Sequence, residues 1–257
     1  MLHYQWARTC SYIVSKLVGA GGVFFGFIVS TNGMDLYQWS EAARQLPLWY
    51  MFYVYAVLYS MAADFLLRNR PFSPLKIFLM LFLYILGGFA PFVLLMHTDP
   101  FGVIIAGTVG SVCAVAFWGI SALSARHWPY NAAAALLLLG FLLILAYGDF
   151  TTTRQWEESR TDTSYKAEFA YFHGKKEVPI ELRKGQTLQV KFEWNHSNGG
   201  GYGWHIRDEK GDYVALKETG DQAFKFQADE DGTYRIVITG DRLQGSVAIL
   251  WKIETGE

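Results

Sequence analysis

Cysteine is scarce in this chain. Its 257 residues hold only Cys10 and Cys113, both in the first half. The second half has no disulfide and no thiolate metal ligand available, so its own core must hold it together. An excess of either charge is also missing: the net charge is −1 with mixed signs, which leaves no footprint for nucleic acid. No nucleophile stands beside a base, no acids pair at one depth, and no histidine lies inside a long apolar run. Ser111 follows Gly110 but lacks the G-x-S-x-G surroundings of a nucleophile elbow. These absences argue for a non-enzymatic protein with no catalytic residue, no cofactor and no metal site.

Charge is sparse in residues 1–150, and long apolar runs take its place. The run Asn131–Gly148, NAAAALLLLGFLLILAYG, has bilayer-spanning length, since about 20 residues at ~1.5 Å rise cover a ~30 Å hydrocarbon core. Four more runs precede it, at about Ser11–Ser30, Leu48–Leu67, Leu75–Met96 and Phe101–Leu123. The expected first domain is therefore a five-span α-helical membrane domain over residues 1–150. The N-terminal run is read as a retained span, because no small-x-small cleavage site follows it.

Lys and Arg set the orientation. Arg8, Lys16, Arg68, Arg70, Lys76 and Arg126 fall on one side, against Arg44 alone on the other. The N-terminus is expected in the cytoplasm and the C-terminal domain outside. Compact loops and a cysteine-free outer domain point to a bacterial plasma membrane, with the lipid bilayer as one partner.

Several features inside this half carry two readings each. In the loop 31–47, Asp35 suits a helix cap, and Leu36, Trp39, Ala43 and Leu46 share a face at helical spacing. That describes a short interfacial helix or an ordinary loop. Gly102, Ala106, Gly110 and Ala114 recur every four residues, with Gly22 and Gly26 as a second such face. They suit close packing within the bundle, or a homo-oligomer seam. Tyr55 and Tyr59 lie deep in the second span, where each hydroxyl needs a partner: another helix, or a polar-lined cavity for a small amphiphile. Asp64 sits one turn before Arg68, which predicts an i, i+4 pair near the inner boundary. His97 and Asp99 are expected in a solvated loop, since two side chains are too few for a metal.

After residue 150 the period changes. Residues 151–164 read as a polar linker, with Trp156 at the membrane surface. Residues 165–257 alternate apolar and polar positions, as in Leu188-Val190-Phe192-Trp194, Tyr234-Ile236-Ile238 and Val247-Ile249-Trp251-Ile253. Turn signals separate them at His173-Gly174-Lys175, Thr219-Gly220-Asp221, Glu230-Asp231-Gly232 and Gly240-Asp241. Seven or eight short strands with one apolar face each predict an all-β antiparallel sandwich.

The order EVPIELRKGQTLQVKFEW, WHIRDEKGDYV, FKFQADEDGTYRIVI and VAILWKI resembles the GOLD (emp24-type) β-sandwich, most closely at Glu230-Asp231-Gly232-Thr233-Tyr234. The resemblance covers about the last 85 residues and implies a module that binds protein or lipid rather than a catalyst. Two departures stand against a cargo receptor. The emp24-type proteins carry one span after the sandwich and a lumenal disulfide, whereas this chain has its spans before it and no outer cysteine.

The stretch Asn195–Gly203, NHSNGGGYG, holds His196 and Tyr202 between Trp194 and Trp204. Exposed aromatics anchor interfaces, so these four residues are the candidate partner-binding set; a long hairpin connection is the other reading. The expected function is that of an accessory or adaptor subunit whose outer sandwich binds a membrane-protein partner or envelope component. The alternative is a transporter or channel subunit, or an amphiphile-binding protein built on the tyrosine-rich second span.

Overall fold

The computed structural model describes residues 2–96, 99–220 and 223–254. The expectations placed on His97 and on Asp221 fall outside these residues. The chain divides into two compact units, Met1–Asp149 and Phe150–Glu257.

The first unit is helical: α1 Leu2–Asn32, α2 Leu36–Ala43, α3 Leu46–Trp49, a π-helical segment Tyr50–Tyr55, α4 Ala56–Leu67, α5 Pro74–Leu95, α6 Pro100–Arg126 and α7 Trp128–Tyr147. Five helical stretches are long and apolar enough to cross a membrane; α3, the π segment and α4 together make the second. Sequence punctuates two of them with a side-chain cap. Ser73 accepts from the Lys76 N–H and Asp99 from the Gly102 N–H, each followed by Pro at the first helical position, where its missing N–H costs nothing. Asp99 is thus a helix cap rather than a free loop carboxylate.

Gly110 of the small-residue stripe in α6 packs within the chain. A Cβ on Gly88 of α5 would collide with the backbone of Gly110 and Ser111, and one on Gly110 with the Gly88 carbonyl. The two backbones meet there because neither bears a side chain. Gly19 and Gly22 of α1 likewise face Ser121 and Ile120 of α6, while Gly26 faces open space.

The short helix expected in the loop 31–47 is α2, with Asp35 accepting from the Gln38 N–H at 3.1 Å. Tyr37, Ser40 and Ala43 are buried, whereas Leu36 and Leu46 are exposed. Trp39 rests edge-on against Phe25 of α1. Arg44 follows and donates to the carbonyls of Ala146 and Gly148 at 3.0 and 2.6 Å and to Glu41 at 2.6 Å. A guanidinium thereby satisfies carbonyls left orphaned at the end of α7, where the helix dipole is negative.

The second unit is an antiparallel sheet of eight strands: β1 Thr152–Arg154, β2 Glu157–Arg160, β3 Ser164–Leu182, β4 Thr187–His196, β5 Gly201–Arg207, β6 Lys217–Gly220, β7 Ala223–Gln227 and β8 Gly232–Glu254. The stretch 151–164 is therefore no spacer, because β1 and β2 both pair with β3. Trp156, expected at the membrane surface, stacks on Phe169 at 5.1 Å and packs against the core.

β3 and β8 pair along almost their whole length and carry the rest of the sheet. On the far side of β8, β5 pairs with residues 235–241 and β4 with residues 245–254. Register shifts near Phe169–Gly174 and the bend at Asp241–Gly245 split this long pair into two limbs. They also switch the parity of burial. Tyr165, Ala167 and Phe169 are buried before the shift in β3, Val178, Ile180 and Leu182 after it. In β8, Tyr234, Ile236 and Ile238 give way to Leu243, Val247, Ile249 and Trp251. A one-residue bulge restores the apolar set to the inner face, since side chains alternate with period two. Both limbs share one buried cluster. His173-Gly174-Lys175 and Gly240-Asp241 are accordingly bends inside long strands, not the turns between strands that the sequence suggested.

Candidate functional site

β4 and β5 do not pair with each other, so the connection between them is not a hairpin. It crosses from one limb of the sheet to the other, and their inner faces meet. Phe192 of β4 stacks on Trp204 of β5 at 4.0 Å between ring centroids, and Trp194 stacks on Tyr202 at 4.7 Å. The His196 ring lies 5.4 Å from that of Tyr202. All four residues singled out in the sequence thus come together as a graded ladder. Phe192 is buried, Trp204 and Trp194 are half-buried, and Tyr202 (49% exposed) and His196 lie at the outer end.

The residues between the strands are pinned. Asn198 donates to the Arg242 carbonyl at 2.7 Å and accepts from the Gln244 N–H at 3.1 Å, and the Ser197 N–H donates to the Gln244 carbonyl. Gly200 passes so close to Arg242 and Leu243 that a Cβ would meet their backbones at 2.7 Å. Glycine here serves close approach to the β8 bend, which holds the aromatic end still. Within the ladder, the indole N–H of Trp194 is shielded from solvent and finds no acceptor among the described residues. A buried donor left so costs on the order of 1–3 kcal/mol.

On the outer face of β5, which sequence reasoning passed over, Arg207 donates to His205 at 3.1 Å and to the exposed Tyr213 at 3.2 Å. At the edge of the sheet, one carboxylate oxygen of Glu158 accepts from the Trp156 N–H and the Tyr165 hydroxyl, both at 2.7 Å. Those two donors hold the Glu158 carboxyl below the usual range, and burial together with Glu158 pushes the Tyr165 phenol up.

The helical unit holds a part-buried ion pair that the sequence reading misassigned. Asp64 does not pair with Arg68, whose guanidinium lies over the Phe65 ring instead. Its partner is Lys16 of α1, at 2.7 Å, and the Tyr12 hydroxyl donates to the same oxygen at 2.7 Å. The Lys16 side chain is only 6% exposed. Lys16 is therefore a packing residue and not a surface charge marking one face of the membrane. Hydropathy could not reveal this, because the pair joins residues far apart in sequence.

Tyr55 and Tyr59 hydrogen-bond across helices, to the carbonyls of Gly87 and Leu83, each at 2.7 Å. Ser60 and Tyr84 meet at 2.6 Å. A cavity of about 340 Å³ does lie beside these tyrosines, but its wall is apolar rather than polar.

No protein-family model matches the chain, and neither does any curated protein. Among solved structures, the periplasmic inhibitor of g-type lysozyme from Aeromonas hydrophila is similar over 41% of this chain and 89% of its own, at 15% identity and a TM-score of 0.24. Accessory secretory protein 1, 2 and 3 of Streptococcus pneumoniae is similar over 42% and 90%, at 16% identity and a TM-score of 0.24. Likeness at that level carries no argument about fold or function here.

Proposed function

We propose that this chain is a non-enzymatic membrane protein of a bacterial plasma membrane, with its N-terminus cytoplasmic. A GOLD-like β-sandwich on the outer side binds a partner protein as an accessory subunit of a membrane complex. The supporting observation is the pair of stacks Phe192–Trp204 and Trp194–Tyr202, with His196 beside Tyr202, rooted in the core and ending in exposed rings. Rigid aromatics lose little entropy on binding and contribute most where a partner dries them. Orientation rests on Arg8, Arg68, Arg70, Lys76 and Arg126, with Lys16 now removed from the tally. A tether to the membrane confines the search for partners to its surface, which favours another membrane protein.

The test is affinity purification in mild detergent, followed by mass spectrometry. His196→Ala with Tyr202→Ala is expected to remove a co-purifying membrane protein while near-ultraviolet circular dichroism of the aromatic core persists. Trp204 is left intact because Phe192 leans on it. If neither the double substitution nor deletion of residues 150–257 changes the co-purifying set, the binding reading fails.

A further inference from the structure

The cavity in the helical unit has a shape that identifies its occupant. It runs from Pro47 and Leu95, at one end of their spans, to Tyr59, Tyr84 and Phe117 near mid-span. From Pro47 to Tyr59 a helix rises about 18 Å at 1.5 Å per residue. That is close to one leaflet of hydrocarbon, roughly 15 Å or half of a ~30 Å core. The gap opens because the π-helical segment packs on α1, through Phe52 stacked on Phe24, while α4 leans on α5. Wide π turns inside α-helices recur at functional sites. At mid-span the gap is closed by the bonds Tyr59–Leu83 and Ser60–Tyr84.

The wall offers nothing polar to a ligand. The hydroxyls that reach it, Tyr55, Tyr59 and Tyr84, are all engaged with Gly87, Leu83 and Ser60, so the rings present only apolar surface. Water has no partner there, and an apolar cavity of this kind admits hydrocarbon instead. The gap of about 340 Å³ is slender, on the scale of one hydrocarbon chain rather than of a helix about 10 Å wide. The surface around the gap is itself apolar and exposed, at Val54 and Leu94 for example.

We propose that this cavity holds one acyl chain of a bilayer phospholipid, inserted from the leaflet at the Pro47 end, with its headgroup left outside. The proposal rests on the membrane-spanning reading of the helices and is independent of the sandwich's partner.

The test reconstitutes the full chain into phosphatidylcholine–phosphatidylglycerol vesicles containing phosphatidylcholine with a diazirine on one acyl chain, and maps photo-adducts by mass spectrometry. Adducts on Met51, Phe92 and Cys113 are expected to exceed those on the outward-facing Leu136 about five-fold, because a held chain exchanges slowly. Ala114→Phe, which fills the cavity from α6, is expected to remove that excess and leave Leu136 labelled. Ala56→Phe fills it from the opposite wall and serves if the first variant does not fold. Equal labelling of cavity and Leu136, or an excess that survives both fillings, overturns the proposal and leaves the membrane reading standing. No labelling at either place overturns both.

Discussion

The hydroxyl of Tyr55 donates to the carbonyl of Gly87 at 2.7 Å, four residues before Pro91 in α5. Proline has no N–H, so the carbonyl four residues earlier loses its helical partner. Tyr55 supplies from a second helix what the backbone of α5 cannot. A side chain fills a hydrogen-bond vacancy in a place where water would otherwise have to do so.

Tyr55→Phe is therefore expected to destabilise the helical unit by about 0.5–2 kcal/mol, as for other hydrogen bonds between membrane helices. In a Pro91→Ala background the loss should shrink, because alanine at that position returns an N–H to the Gly87 carbonyl. Equilibrium unfolding of the four proteins in mixed micelles measures the coupling. Equal losses in both backgrounds would show that the Tyr55 hydroxyl does not act by filling the vacancy left by Pro91.

Lys16 and Asp64 should behave as a unit. Removing one partner strands a buried charge, at a cost of about 3–5 kcal/mol, whereas replacing both with apolar residues is often near neutral. Lys16→Met and Asp64→Leu are each expected to lower the unfolding temperature in detergent, and the double variant to recover much of it. Additive losses would mean that the pair is not coupled.

Orientation is checked by labelling single cysteines in intact cells, with Cys10 and Cys113 replaced by Ser. A membrane-impermeant maleimide is expected to reach a cysteine introduced at the exposed Lys210 or at Asp221, and not one at Asn69, between α4 and α5. The reverse pattern would invert the proposed topology.

The sheet should unfold on its own. Residues 150–257 expressed alone are expected to be soluble and to melt in one cooperative transition. Ile236, fully buried in β8, should cost about 2–5 kcal/mol on replacement by Ala. A fragment without dispersed amide resonances would show that the sheet needs the helices.

Acid should weaken this sheet in part through Glu158. Its carboxyl is held below the ordinary value by Trp156 and Tyr165. A depressed acid binds its proton more readily when unfolded, so its contribution is present above about pH 4.3 and is lost as pH falls through the folded value. The side chain lies largely in solvent, so the effect is small. Glu158→Gln is expected to lower stability at neutral pH and to flatten the loss in the acid range below the ordinary carboxylate value. A variant with the wild-type acid profile would assign that loss to other carboxylates.

Much of this protein is legible in its residues taken in order. Apolar runs of about 20 residues define five long helices, because helix length and hydropathy are local properties. Capping by Asp35, and alternation at Leu188-Val190-Phe192, are local too, and their elements stand where the sequence implied. The four ladder residues were also visible, since aromatics around glycines stand out in any window. What tertiary structure decided is every relationship between distant residues. Gly174 and Gly240 bend continuous strands rather than ending them, because glycine tolerates either geometry and only the partner strand selects one. Trp156 turns inward because Phe169 and Phe172 give it a surface. Asp64 pairs with Lys16, on another helix, rather than with Arg68 one turn along, because helix packing buries the lysine beside it. Sequence spacing counts neighbours along the chain, whereas a buried polar group is satisfied by neighbours in space.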